Sequence, residues 1–195
     1  MTYAKSKDLH KTLRGSWDPI LKPLGYKRCK TSLASYSRPR HDGDGYVRLW
    51  VQASQWGESW SGNSFTLNFD LRISDPNDPI GGSDRILGDL TPEQLSQAEL
   101  ITQEIIERKP KPPPDHWVYT EMAEGALHQK LWIDSFARAF TYSAGQLKPN
   151  HDIWLEYFSI QDVAYWAEFL GPLIPNLIDN RERANVRFGK QLDKT

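Results

Sequence analysis

The chain has 195 residues, enough for one domain with a full core, because a globule of this size buries roughly 70% of the surface its unfolded chain exposes. Its 24 basic residues nearly cancel 25 acidic ones, which excludes the uniform field that gathers nucleic acid or anionic lipid, though not a local basic patch. The single cysteine, Cys29, cannot close an intramolecular disulfide, and no apolar run approaches the ~20 residues a bilayer requires.

Met1 to His10 contain no apolar leader core, so the expectation is a cytoplasmic protein with no membrane association. From Lys5 to Leu24, Leu9, Leu13, Trp17, Ile20, Leu21 and Leu24 recur at helical spacing between polar residues, which predicts an amphipathic helix. Pro19 and Pro23 are expected to disturb its last turns, and Gly25 suits the exit because glycine takes positive φ without cost.

Three strands are predicted next, Tyr26 to Arg38, Tyr46 to Gln55 and Ser64 to Ile73, separated by turn-rich stretches at 39–45 and 57–63. They read as an antiparallel meander. The third is the clearest, since Phe65, Leu67, Phe69, Leu71 and Ile73 alternate with Thr66, Asn68, Asp70 and Arg72. After a loop, Thr91-Pro92-Glu93-Gln94 carries the signs of a helix start, with Thr91 as cap, Pro92 as first helical residue and Gln94 reaching back, and the helix is expected to run to about Arg108.

Pro110-Lys111-Pro112-Pro113-Pro114 predicts an extended spacer inside one domain spanning 1–195, because neither side of it alone shows a complete core. Beyond it, Trp117 to Tyr119 and Ile153 to Phe158 read as short strands; Leu127 to Phe140 fits either a helix or a strand, and the helix is favoured because Ile133, Phe136, Ala137 and Phe140 fall on one helical face. Ser159-Ile160-Gln161-Asp162 opens a further helix that Gly171-Pro172 ends, and a last one is expected from Leu173 to Arg183. The fold class that follows is α+β: an N-terminal amphipathic helix, an antiparallel meander, and C-terminal helices packed on one face.

Motifs of known chemistry are scarce. His41-Asp42-Gly43-Asp44-Gly45 resembles the start of a calcium loop but lacks the ordered ligand series and late glutamate, so a solvated hairpin turn is the better reading. Glu121, Glu124 and His128 would share a helical face able to present ligands to a metal, yet Gly125 weakens that helix and a solvated charged face competes with the reading. The five histidines show no zinc spacing, and there is no nucleophile elbow, phosphate-binding glycine loop or activated thiol signature. Neither a cofactor nor a metal is expected, and catalysis is disfavoured.

Binding is favoured by the aromatic content, eight tryptophans and eight tyrosines. If both hairpins close symmetrically, Tyr36, Arg38, Arg48, Trp50, Gln52, Asn68, Asp70 and Arg72 point away from the Leu and Phe face, forming a patch able to grip an anion or a polypeptide. The competing reading is a solvated face of cross-strand ion pairs. Trp56 and Trp60 flank the tip of the second hairpin, where two indoles would stack on a ligand or fold back onto the core.

Ile20-Leu21-Lys22-Pro23-Leu24-Gly25-Tyr26-Lys27-Arg28, Val51-Gln52-Ala53-Ser54, Phe65-Thr66-Leu67-Asn68, and Ile153-Trp154-Leu155 followed by the Ser159 to Leu170 helix have a counterpart in order and pattern elsewhere. In these features the chain resembles a bacterial family catalogued as domain of unknown function 4304. The resemblance implies an α+β fold, a bacterial cytoplasmic setting and no catalytic residues to carry over.

The functional expectation is a non-enzymatic binding protein, an immunity or accessory factor that docks a protein partner through its polar sheet face. The alternatives are an enzyme with an unrecognised carboxylate and histidine cluster, and a small-ligand module built on Trp50, Trp56 or Trp60.

Overall fold

A computed structural model of the protein describes residues 4–54, 63–77, 84–108 and 153–192; the side chains of Arg72, Ile73, Ile106 and 185–192 lie outside the description. The Pro-rich stretch at 110–114 and the elements expected at 117–119 and 127–140 fall outside the described residues.

Helix α1, Ser6–Leu21, buries Leu9, Leu13, Trp17 and Leu21, which stand at every fourth position and so form one stripe. The helix tightens into a 3-10 turn at Lys22–Leu24, which Gly25 closes at φ +84° with its N–H donating to the Lys22 carbonyl at 3.0 Å. Pro23 lies in that turn, whereas Pro19 is accommodated inside α1, which continues two residues beyond it.

Strands β1 (Lys27–Arg28), β2 (Ser35–Pro39), β3 (Tyr46–Ala53) and β4 (Asn63–Ile73) form an antiparallel meander. Two short strands, β5 (Asp84–Arg85) and β6 (Leu155–Tyr157), pair along the free edge of β4, at Asn68 and Phe69 and at Asn63 to Phe65 respectively. Register puts Val47 opposite Leu71, Leu49 opposite Phe69 and Val51 opposite Leu67, so one face of the sheet is continuously apolar.

A 3-10 turn at Leu87–Asp89 leads to α2, Pro92–Glu107. Its start is the predicted reciprocal cap: Thr91 N donates to Gln94 Oε1 at 2.9 Å, and Gln94 N donates to Thr91 Oγ1 at 3.3 Å. Helix α3, Ile160–Leu170, starts the same way, with Asp162 N donating to Ser159 Oγ at 3.2 Å and Ser159 N donating to Asp162 Oδ2 at 2.8 Å. Helix α4 covers Ile174–Leu192 and so continues beyond Arg183, the expected end; nothing between Arg183 and Leu192 is a proline, and the one glycine there, Gly189, does not break it.

Helix α1 lies against α3. Trp17 Nε1 donates to the Ala167 carbonyl at 3.0 Å, and at Gly171 the chains approach so closely that an added Cβ would sit 2.7 Å from Ile20 Cδ1 and 3.0 Å from the Ala167 oxygen. The apolar sheet face, α1, α2, α3 and the start of α4 share one buried cluster that includes Trp17, Tyr36, Phe65, Ile101, Trp166 and Ile174. The architecture is α+β, as expected.

Candidate functional site

The polar residues of the meander alternate as predicted, with one correction. Arg38 pairs with Val47 and Tyr36 with Leu49, which puts Tyr36 and Arg38 on the apolar, helix-covered face and not beside Arg48 and Trp50. The β2–β3 loop holds an even number of residues between Pro39 and Tyr46, and a one-residue change of register moves every side chain of a strand to the other face. The stretch His41 to Gly45 forms that hairpin turn, with Gly43 and Gly45 at positive φ and Asp44 N donating to Asp42 Oδ1 at 3.1 Å.

On the opposite face, Arg48 stands across from Asp70 and donates to its Oδ2 through Nε at 2.7 Å, while Trp50 stands across from Asn68 and Gln52 across from Thr66. Arg85 of β5 extends the layer: it donates to Gln52 Oε1 at 2.8 Å and to Asn68 Oδ1, and its guanidinium lies 5.1 Å from the centre of the Trp154 ring. This layer is buried. Arg48 is 2% exposed, Trp50 8%, Asn68 1% and Asp70 6%, and Gln52 is half-buried. Among the described residues Trp50 Nε1, Thr66 Oγ1 and Asp70 Oδ1 have no hydrogen-bond partner, and they have essentially no accessible surface. Arg72 follows on β4 by its backbone position; Trp56, Trp60, Glu121, Glu124 and His128 lie outside the described residues.

Tyr36 and Arg38 acquire partners on the helical side. The Tyr36 hydroxyl donates to Asp18 Oδ1 at 2.9 Å, beside Arg28 Nε at 2.8 Å and Lys22 Nζ at 2.6 Å from the same carboxylate. Burial pushes the Asp18 carboxyl up, but the hydrogen bonds from Arg28, Lys22 and Tyr36 outweigh it and hold its pKa down at about 2. Burial, with the Asp18 hydrogen bond and charge, pushes the Tyr36 hydroxyl upward.

A further constellation has metal-ligand chemistry: the donor atoms of His41, Asp179 and Glu182 lie within 4.8 Å of one another. Their point of convergence is held by one nitrogen of Arg38, which lies 2.7 Å from Asp179 Oδ1, 2.8 Å from Glu182 Oε2 and 3.1 Å from His41 Nε2. The Arg38 guanidinium also sits 5.3 Å from the centre of the Tyr26 ring. Arg38 supplies the positive charge that a metal cation would bring to these ligands, so the cluster reads as a clamp between the β2–β3 hairpin and α4.

Open apolar surface lies elsewhere, in a groove of about 580 Å³ between α2 and α3. Gln97, Leu100, Ile101 and Glu104 line one wall at helical spacing of one face. Tyr165, Glu168 and Phe169 line the other, continued by Pro172 and Leu173 beyond the helix end. Leu100 is 60% exposed and Tyr165 43% exposed.

No family model, curated protein or solved structure matches this chain. Sequence reading passed over Leu100 and Tyr165, although a signal was present. The buried stripe of α2 is Leu95, Ala98, Ile101, Thr102 and Ile105, and that of α3 is Val163, Trp166, Ala167 and Leu170. Leu100 and Tyr165 fall off those stripes, and a large apolar residue off the core stripe of an amphipathic helix has to be exposed.

Proposed function

We propose that the protein is a non-catalytic binding protein that docks a polypeptide partner in the groove between α2 and α3, in the manner of an immunity or accessory factor. One observation carries the reading: Leu100 and Tyr165, which lie off the buried stripes of their helices, present large apolar side chains to solvent from facing walls of one groove. Apolar surface held open by rigid helices is preorganised for a partner, because little ordering is required on this side when the contact forms.

The polar sheet face, whose residues suggested binding in the sequence, lends less support, since Arg48, Trp50, Asn68 and Asp70 are turned to one another and away from solvent. The groove's volume also falls within the range of small-ligand pockets. Its exposed lining would leave much of a small molecule in water, whereas a polypeptide covers the whole stripe.

The test is selection of a charge-unbiased library of helical peptides on the full chain, with counter-selection on Leu100→Asp/Tyr165→Asp. Recovery of peptides that bind the wild type and lose the variant supports docking at this groove. Binders indifferent to the variant, or no enrichment, would overturn it.

A further inference from the structure

The two helices that frame the groove are acidic throughout. Between Pro92 and Glu107 and between Ile160 and Leu170 stand Glu93, Glu99, Glu104, Glu107, Asp162 and Glu168, with no lysine or arginine, in a chain whose charges otherwise nearly balance. Glu104 and Glu168 are exposed lining residues, one on each wall, and neither has an ion-pair partner among the described residues. The first basic residue after α2, Arg108, is engaged elsewhere: its guanidinium lies 3.4 Å from buried Asp162, and its Nε donates to the Glu104 carbonyl at 3.0 Å. The rim of the groove therefore carries negative charge on both sides of an apolar floor with no cation paired to it among the described residues, and a like-charged segment would be repelled there.

We infer that the segment docked in this groove is an amphipathic α-helix whose apolar stripe is flanked by lysine or arginine. The inference rests on the docking reading above and adds the partner's chemistry. Shape argues for a helix. Both walls are α-helices, whose backbone groups are already paired, so the groove offers no free edge for an added strand, and an extended segment would bury its own N–H and C=O groups unmet. A helix satisfies those groups internally and needs only a stripe of side chains at the same three- and four-residue spacing that lines each wall. The wall from Gln97 to Glu104 is about 10 Å long at 1.5 Å per residue, which matches about two turns of an occupant. Charge argues for basic flanks. Two cationic side chains straddling the apolar stripe would each meet one of the unpaired carboxylates, Glu104 on α2 and Glu168 on α3, while their aliphatic stems cover Leu100 and Tyr165.

The experiment uses three synthetic helical peptides of about 16 residues with one shared leucine stripe and flanks of lysine and arginine, of glutamine, or of glutamate. Each is titrated against the full chain by fluorescence anisotropy at low and at physiological salt. The basic peptide is expected to bind most tightly, to weaken as salt rises, and to weaken a further three- to tenfold, roughly, on Glu104→Gln/Glu168→Gln, which leaves the glutamine-flanked peptide unchanged. All four groove positions to be changed are exposed, so thermal melts of the variants should match the wild type. If the glutamine-flanked peptide binds as tightly as the basic one and both respond to Leu100→Asp, the charge inference is overturned and docking stands. If no peptide binds, or binding ignores Leu100→Asp/Tyr165→Asp, both fail. Sedimentation of the chain alone gives the remaining outcome: a dimer that Leu100→Asp dissociates would make a second copy the occupant and overturn the inference.

Discussion

Arg38 of β2 and Glu182 of α4 are 144 positions apart in the chain, yet their charged groups meet at 2.8 Å with both side chains nearly sealed from solvent, 7% and 2% exposed. Arg38 lies one strand position from where an alternating polar face would put it, and that displacement carries it to the helical side. There, Glu182 also accepts the His41 backbone N–H at 2.6 Å, so one carboxylate holds both the strand and the turn after it.

Removing Arg38 strands the buried Glu182 carboxylate, whereas removing Glu182 leaves Arg38 paired with Asp179 at 2.7 Å. Arg38→Met is expected to lower stability by about 3 kcal/mol, the scale for breaking a buried pair, and Glu182→Leu by less, because Asp179 still pairs with Arg38. The double variant Arg38→Met/Glu182→Leu should lose clearly less than the two singles added together. Urea unfolding of the set measures the coupling, and simple additivity would show that the contact does not form.

The approach of α1 to α3 predicts a second pair. Gly171→Ala introduces a methyl 2.7 Å from Ile20 Cδ1, against Trp17 and the Ala167 carbonyl, in a buried position. We expect a loss of about 1 kcal/mol, because Gly171 has backbone angles that alanine adopts freely, and the unfolded-state entropy removed offsets part of the overpacking. Ile20→Val removes the obstructing atom and should recover part of that loss in the double variant. No recovery would place the clash on the Ala167 oxygen instead.

Acid should destabilise the fold in a window set by His10. This buried imidazole accepts the Ala34 backbone N–H through Nδ1 at 3.2 Å, and burial, aided by the Arg14 charge, holds its pKa down at about 4 against 6.5 when unfolded. The unfolded chain therefore takes up the proton first. The His10 contribution is complete above pH 6.5 and is lost as pH falls toward 4. The loss is up to about 3 kcal/mol before solvent screening reduces it. His10→Gln, which keeps an acceptor, should flatten the stability profile between those limits; an unchanged profile would refute the assignment.

Exposure of Leu100 predicts the opposite behaviour for the groove. Leu100→Lys should alter stability by no more than about 0.5 kcal/mol while reducing binding of a hydrophobic dye to the native protein. A loss of several kcal/mol would mean that Leu100 is packed, and the groove would lose its apolar floor.

Local chemistry was legible in the chain. The helix caps at Thr91 and Ser159, the Gly25 exit and the alternation of β4 each depend on residues within a few positions of one another, and each takes the expected form. Helix and strand class likewise follow from local period, which is why the α+β architecture could be read without coordinates. Three things depended on long-range geometry. The face occupied by Tyr36 and Arg38 turned on the loop count of one hairpin, where a single residue reverses every side chain. The burial of Arg48, Trp50, Asn68 and Asp70 could not follow from alternation, because a period of two separates the faces of a sheet without saying what covers either. The groove required two helices more than fifty residues apart to lie side by side, so that Leu100 and Tyr165, each a stray apolar residue in its own helix, became the facing walls of one surface. Short-range hydrogen bonding and hydrophobic period determined the elements; only their packing decided which polar groups are enclosed and which apolar groups are left open.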